Sequence, residues 1–424
     1  MLLRRRTVLL AAASVPLVAA CANAADKAAP KLKLEKVWQE RLTVPADRLP
    51  GRARIVGDSV LLADGTGTET GRVVCFGAAD GTKAWVIDGG RPMSVPGVGD
   101  GWICVVGPAF LGYSSKPVQR PTVQVAEGIL PVAYAAAPKG ATTSGVAGVD
   151  VRTGDPVWGY RAMSTASTDR TMVTAVAESV VLATVSAPFG PFFPDRTHRP
   201  TTIALDAKTG AELWRATDVV GLSGDGNSVV VAKRTSAEWL PEVRDARTGE
   251  VRWTGTVRLV GAIDHEGTAA DHTVLCPTDK GVVQVVRLST GKQLKFESDE
   301  IPAAVASDPP LLVWDSGMNW WAKGPNGFVT QTLPKGSPTK GRHRHHGITF
   351  YGAYGVGPYI WGRTQTYRGS DPEDTQFEGL IALDRTGAAC TPAMRKAEQL
   401  AHVSRDWLVV GLNGYAQVYR ISPA

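Results

Sequence analysis

The chain has 424 residues, 43% of them hydrophobic and 20% charged, which is the composition of a globular protein, with a net charge of +6. Without Arg4, Arg5 and Arg6, 43 basic residues face 40 acidic ones, and that balance of +3 is too small to indicate nucleic acid. No basic stripe interleaves with aromatics, so no nucleic-acid partner is expected, and the dispersed 46 glycines and 28 prolines read as turn punctuation between many short strands.

Residues 1–20 read as a signal peptide. Arg4 to Arg6 form a positive start, Val8 to Ala20 an apolar stretch, and small residues close it. The stretch falls short of the ~20 apolar residues that span a bilayer. Val18-Ala19-Ala20-Cys21 resembles a bacterial lipobox, which implies that Cys21 is the lipidated first residue of the mature protein. Plain cleavage beside an incidental cysteine is the alternative. Arg5-Arg6-Thr7-Val8-Leu9 resembles a twin-arginine export signal, so both that route and the general secretory route stay open. Residues 22–33 show no hydrophobic period and read as a tether of roughly 40 Å when extended, with 21–31 the lipidated tether and 32–424 the folded domain. Membrane attachment through that lipid, on the extracytoplasmic face, is the expected location. Cys75, Cys104, Cys276 and Cys390 stand singly, without the spacing of metal or redox pairs. Buried thiols are expected, although an exported protein could also pair two of them.

One phrase recurs along the domain. Its clearest copy runs Ala204-Leu-Asp206-Ala-Lys-Thr209-Gly210 and ends at Trp214. The spacing is kept in Asp150, Thr153, Gly154 and Trp158, and again in Asp245, Thr248, Gly249 and Trp253. Degenerate copies are Asp80-Gly81 with Trp85, Thr290-Gly291 with Phe296, and Asp384 with Thr386 and Gly387. Alternating apolar residues before the Asp make a strand. The Asp can accept backbone N–H groups two residues on and the Gly supplies positive φ, so the phrase is a tight hairpin turn. The Trp then lies on the returning strand, where its area must be buried against the next unit.

The Trp marks fall at 38, 85, 158, 214 and 253, with Phe at 296, giving intervals of 47, 73, 56, 39 and 43. These centre on the ~40–50 residues of a four-stranded propeller blade. Between 296 and 391 there is room for two blades, with strand-like runs at 303–306, 311–315, 319–322 and 328–333, then 348–352, 359–364 and 379–384. The last segment has runs at His402, 407–412 and 415–421 and lacks its own Trp-bearing strand. Residues 32–42, with Trp38 in the Trp position, supply that strand and would close the ring. The expected fold is an all-β propeller of eight four-stranded blades closed by the N-terminal strand. Seven is the alternative, if 296–391 is one blade with a long insertion.

The phrase Ala-x-Asp-x-x-Thr-Gly-x-x-x-Trp of residues 204–214 resembles the repeat of the pyrroloquinoline-quinone (quinoprotein alcohol dehydrogenase-like) propellers, and the resemblance covers residues 32–424. It implies the fold and not the function. A quinone enzyme of that kind would need an Arg, an aromatic floor, a calcium held by acid and amide oxygens, and a catalytic Asp, often under a vicinal disulfide. The sequence has no Cys-Cys pair and no acid that can be placed on a matching motif, so no catalytic residue and no cofactor are expected. His343, His345 and His346 in Arg342-His-Arg-His-His346 are weak metal candidates, read first as a solvated basic loop.

The Thr-Gly turns share one face of such a fold, and loops between second and third strands lie on the other. Three long insertions are assigned to that second face, at 108–144, 187–200 and 365–378. Tyr113, Phe189, Phe192 and Phe193 in them are candidate partner contacts, since aromatics concentrate where proteins meet. The reading is a monomeric, non-enzymatic binding or scaffold module for an envelope protein. A small-ligand, quinone or sugar-binding propeller is the alternative, and a quinone-dependent dehydrogenase the third.

Overall fold

The computed structural model describes residues 29–43, 53–64, 72–89, 92–105, 110–111, 118–119, 123–136, 144–162, 170–186, 199–235, 239–255, 349–367, 375–384, 389–392, 394 and 399–424, together with the strands named below between 273 and 346. Among these residues the secondary structure is all β, and every paired neighbour is antiparallel. β1 (Leu32–Arg41) comes first but belongs to the last sheet.

The first sheet is β2 (Ala53–Val56), β3 (Ser59–Asp64), β4 (Arg72–Gly77) and β5 (Lys83–Asp88) in sequential order. The second sheet draws on β6 (Pro92–Val95), β7 (Gly99–Val105), β10 (Ile129–Ala136), β11 (Ser144–Asp150) and β12 (Pro156–Ala162). A separate two-stranded pair, β8 (Phe110–Leu111) and β9 (Val118–Gln119), interrupts it. The third sheet is β13 (Arg170–Val176), β14 (Val180–Ser186), β15 (Thr201–Asp206) and β16 (Glu212–Thr217). The fourth is β17 (Val219–Asp225), β18 (Ser228–Arg234), β19 (Trp239–Asp245) and β20 (Val251–Thr254).

The fifth sheet holds β21 (Thr273–Pro277), β22 (Val283–Arg287) and β23 (Lys292–Leu294). The sixth holds β24 (Ala304–Ala306), β25 (Leu311–Asp315), β26 (Gly327–Thr332) and β27 (Arg342–His346). The seventh holds β28 (Thr349–Val356), β29 (Tyr359–Tyr367) and β30 (Thr375–Leu383). The eighth is β31 (Gln399–Val403), β32 (Trp407–Leu412), β33 (Tyr415–Pro423) and then β1.

Burial follows strand position. β14 is buried at every residue, because its two faces meet the sheets before and after it. β16, the last strand of the same sheet, alternates exposed and half-buried residues. The apolar clusters accordingly lie between consecutive sheets. Val60, Leu62 and Phe76 of the first sheet pack with Ala401, Val409 and Val418 of the eighth, while Leu61, Ala63 and Val73 pack with Leu130, Val132 and Val149 of the second.

The second sheet departs from expectation. Ile129–Ala136, assigned by sequence to a long loop insertion, is the strand that pairs with β11 along Ile129–Ala135. Pro131 within the run weakened the strand signal, yet its neighbours alternate as a pleated strand requires. Tyr134 is therefore a core residue, 1% exposed, and its hydroxyl donates to the Tyr160 carbonyl at 2.7 Å. The β6–β7 hairpin folds across the same face: Val95, Tyr134 and Ala147 form one cluster with Met93 and Val98 beside it. Gly159 gives that hairpin room, since a Cβ there would stand 2.2 Å from Val95.

The basic run also differs from expectation. Arg342–His346 is a strand paired with β26, with Gly327 opposite His346 and Gln331 opposite Arg342. The Gly and Pro punctuation of 334–341 lies between the two paired strands in sequence. The expected strand at 319–322 lies outside the described residues. Ala29 and Pro30, which the sequence assigns to the tether, contact the seventh sheet through Asp384 and Tyr359.

Candidate functional site

The copies of the repeat turn at Asp150, Asp206 and Asp245 are self-capped. The Asp206 carboxylate accepts from the backbone N–H groups of Lys208 at 3.2 Å and Thr209 at 3.1 Å, and from the Thr209 hydroxyl at 3.0 Å. Asp245 does the same for Arg247 at 2.9 Å and Thr248 at 2.8 Å, and Asp150 for Arg152 at 2.7 Å and Thr153 at 3.3 Å. Burial pushes the Asp206 and Asp245 carboxyls up, but the Thr209 and Arg247 bonds on one and the Thr248 bonds on the other outweigh it and hold both below the ordinary value.

In the first sheet the turn keeps the Gly and Trp positions of the repeat and departs from it at the Asp position. Gly81 N–H donates to the Gly77 carbonyl at 2.9 Å, as Gly154 N–H does to that of Asp150 at 2.8 Å. Gly77 thus holds the Asp position. Asp80 stands where the other copies have Thr, and it accepts from the Thr82 N–H at 2.9 Å.

The residue after the Asp position is a three-way junction. Ala207 N–H donates to the Ser179 carbonyl of the β13–β14 turn at 2.9 Å, tying the two turns of one sheet together. The Ala207 carbonyl accepts the indole N–H of Trp158, from the preceding sheet, at 2.8 Å. Ala78, Val151 and Ala246 repeat this with Trp38, Trp85 and Trp214, at 2.9, 2.8 and 2.8 Å.

Each of these indoles lies against the turn glycine of the next sheet. At Gly210, with φ +69°, a Cβ would meet the Trp158 ring at 2.5 Å, so both the turn and the close approach require glycine. Gly81, Gly154 and Gly249 stand against Trp38, Trp85 and Trp214 in the same way. Trp253 lies on β20, while Thr290, Gly291 and Phe296, into whose turn it would dock, are outside the described residues.

Charged side chains reinforce the same face. Arg247 pairs with Asp206 at 3.0 Å and Lys208 with Glu127 at 3.3 Å, each linking turns of successive sheets. On the outer strands, Tyr160 donates to Glu212 at 2.5 Å and Arg215 bonds both. Arg215 holds the Glu212 carboxyl low, while burial and then Glu212 push the Tyr160 phenol up to about 12.

A buried threonine seam, unnoticed in the sequence, joins the third and fourth sheets. Thr174 and Thr184 hydroxyls lie 3.2 Å apart, Thr184 and Thr202 2.9 Å, and Gly221 N–H donates to Thr202 at 3.1 Å. The signal was a Thr at matching positions of three adjacent strands.

The opposite face is uneven. Between second and third strands, the third sheet carries fourteen residues, 187–200, and the eighth only two, Asn413 and Gly414. The seventh-sheet insertion shrinks to 368–374, because Gln365–Tyr367 pairs with Phe377–Thr375 as a long hairpin. In the second sheet the corresponding connection is 137–143, and the long insertion instead separates β7 from β10. Tyr113, Phe189, Phe192 and Phe193 lie outside the described residues, as do Cys21, Thr386 and Gly387. Asp384 is buried, and it accepts the Ala29 N–H at 3.3 Å. Cys75 and Cys390 are buried free thiols.

Among the described residues, no three His, Cys, Asp or Glu side chains group as metal ligands. A quinone with its calcium needs several free acid and amide oxygens. The described turn acids hold backbone N–H groups and do not group in threes.

No protein-family model matches the sequence, and no curated protein matches it. Among solved structures, the chain is similar to BamB from Moraxella catarrhalis at 16% identity and a TM-score of 0.49, over 92% of this chain and 100% of that one. It is similar to the quinohemoprotein alcohol dehydrogenase ADHIIG from Pseudomonas putida HK5 at 12% identity and 0.46, over 92% and 76%. A third likeness is to quinohemoprotein alcohol dehydrogenase from Comamonas testosteroni, at 13% and 0.46, over 94% and 77%. At this identity and superposition, none of them assigns an activity, ligand or residue to this chain.

Proposed function

We propose that the chain is a non-catalytic scaffold of the cell envelope: an exported, lipid-anchored, monomeric β-propeller of eight blades that binds a protein with the face opposite its Thr-Gly turns. The observation that carries this reading is the contrast between a uniform turn face and an uneven face opposite it. On the turn face the described acids and indoles are spent on holding sheets together. On the other, connections range from two residues to fourteen, and the longest contains Phe189, Phe192 and Phe193. A face whose connections differ this much in length is where loops can vary for recognition.

Ring closure by β1 is supported by a shared irregularity. Trp38 pairs with Val418 across a bulge that leaves Val37 unpaired. Trp85, Trp158, Trp214 and Trp253 each follow a residue skipped in the same way. β1 therefore takes the fourth-strand position of the eighth sheet, and Trp38 docks on the first.

The test is affinity capture from solubilised envelopes with the full chain, a variant with 188–198 replaced by a short Gly-Ser linker, and Arg152→Ala on the turn face. The reading expects one protein to be retained by the first and third baits and lost by the second, with the fold of all three intact by circular dichroism. Equal capture by all three would remove the loop face from the account.

A further inference from the structure

Lys31 and Leu32 meet Pro423 and Ala424 at the place where the eighth sheet lacks a turn. In the third sheet, β15 and β16 are joined by Asp206 to Ala211. In the eighth, β33 and β1 are the corresponding strands, with Leu32 opposite Pro423, and no peptide joins them. Ala424 N–H instead donates to the Lys31 carbonyl at 3.0 Å. Ile421 N–H donates to the Asp406 carbonyl at 2.8 Å, repeating the Ala207–Ser179 bond of the third sheet. Lys31 and Ala424 thus lie on the Thr-Gly face.

Residues 29–31 are then fastened to the neighbouring turn. Ala29 N–H donates to the Asp384 carboxylate at 3.3 Å, the Tyr359 hydroxyl donates to the Pro30 carbonyl at 3.1 Å, and Lys31 Nζ donates to the Ala389 carbonyl. Asp384 is the Asp of the seventh sheet's own repeat copy. Cys21 is eight residues upstream of Ala29, a reach of at most ~28 Å at ~3.3–3.6 Å per residue. A seven-residue strand such as β14 already covers about 23 Å of the distance between faces. The tether would be consumed merely in passing along the side of the sheet.

We infer that the chain sits on a phospholipid surface with its Thr-Gly turn face toward the bilayer, leaving the loop face pointing away from it. The orientation rests on Cys21 being the lipid anchor, as proposed above. It explains why a partner-binding surface would be built opposite the repeat turns: that surface is the one the tether keeps clear of lipid.

The test uses the lipidated full chain in phosphatidylethanolamine/phosphatidylglycerol vesicles carrying nitroxide head groups. A fluorophore is placed on Arg152→Cys, an exposed turn-face residue, or on Thr217→Cys, exposed at the loop-face end of β16. Labelled unaltered chain gives the background from native thiols. Quenching several-fold stronger at position 152 than at 217 is expected. Equal quenching, or stronger quenching at 217, with the protein still floating with the vesicles, overturns the orientation alone. If the unaltered chain does not float with vesicles and behaves like Cys21→Ser, the anchor reading fails and the orientation falls with it.

Discussion

His402 joins the last sheet to the first, and it makes that junction sensitive to acid. It lies on β31, and its Nδ1 accepts the backbone N–H of Ile55 on β2 at 3.3 Å. It is half-buried. Burial, and then the Arg54 charge, push its pKa down from 6.5 to about 3. A base whose folded pKa is depressed stays neutral in the fold and takes up a proton when unfolded. Stability is therefore complete above 6.5 and falls as the pH drops from there toward about 3. The slope is ~1.4 kcal/mol per pH unit, so about 2 kcal/mol is gone at about pH 5. His402→Asn keeps an acceptor near Nδ1 and cannot titrate. Urea unfolding followed by tryptophan fluorescence should show the wild type losing about 2 kcal/mol more than the variant between about pH 7.5 and pH 5. Parallel losses in the two proteins would refute the buried neutral imidazole.

Three further expectations concern the docking of sheets. Trp158→Ala removes a buried ring and orphans the Ala207 carbonyl, so it should cost about 3–5 kcal/mol in urea unfolding. Gly210→Ala should cost well over 1 kcal/mol, because its Cβ meets Trp158 as well as an unfavourable φ; Gly97→Ala, with φ +76° and nothing within 4 Å, should cost only about 1–2. A thermal-melt comparison in which the two glycine variants match would argue against the indole contact. Asp64→Ala should cost about 2 kcal/mol by the same unfolding measurement. Its carboxylate accepts from the Thr43 N–H at 2.9 Å and hydroxyl at 2.7 Å, clamping the end of β1 to the first sheet.

The parts of the fold that were legible in the sequence are those set by local chemistry. Asp206, Thr209 and Gly210 specify a turn within a few residues, and a Trp four places later has to be buried somewhere. What the Trp meets is non-local. That its indole N–H reaches the carbonyl after the next Asp position depends on how sheets stack, and Ala207 carries no side-chain signal of it. Asp80-Gly81 with Trp85 was legible as a degenerate copy because the Gly-to-Trp spacing is kept, with Asp80 standing in for the Thr. Tyr134 looked like a loop aromatic because Pro131 stands inside its strand, and 342–346 looked like a loop because His and Arg are poor strand signals. In both cases pairing with a neighbouring strand decided the outcome. The fixation of Ala29 to Lys31 was invisible, since it is made by backbone groups and one amine without any hydrophobic period.

The scaffold reading is tested most directly in living cells, by placing a photo-crosslinking amino acid at Phe192 on the loop face or at Arg152 on the turn face. One discrete protein adduct from position 192, absent from position 152, is the expected result. An adduct from the turn face alone, or none from position 192 in a folded, membrane-associated protein, would contradict it.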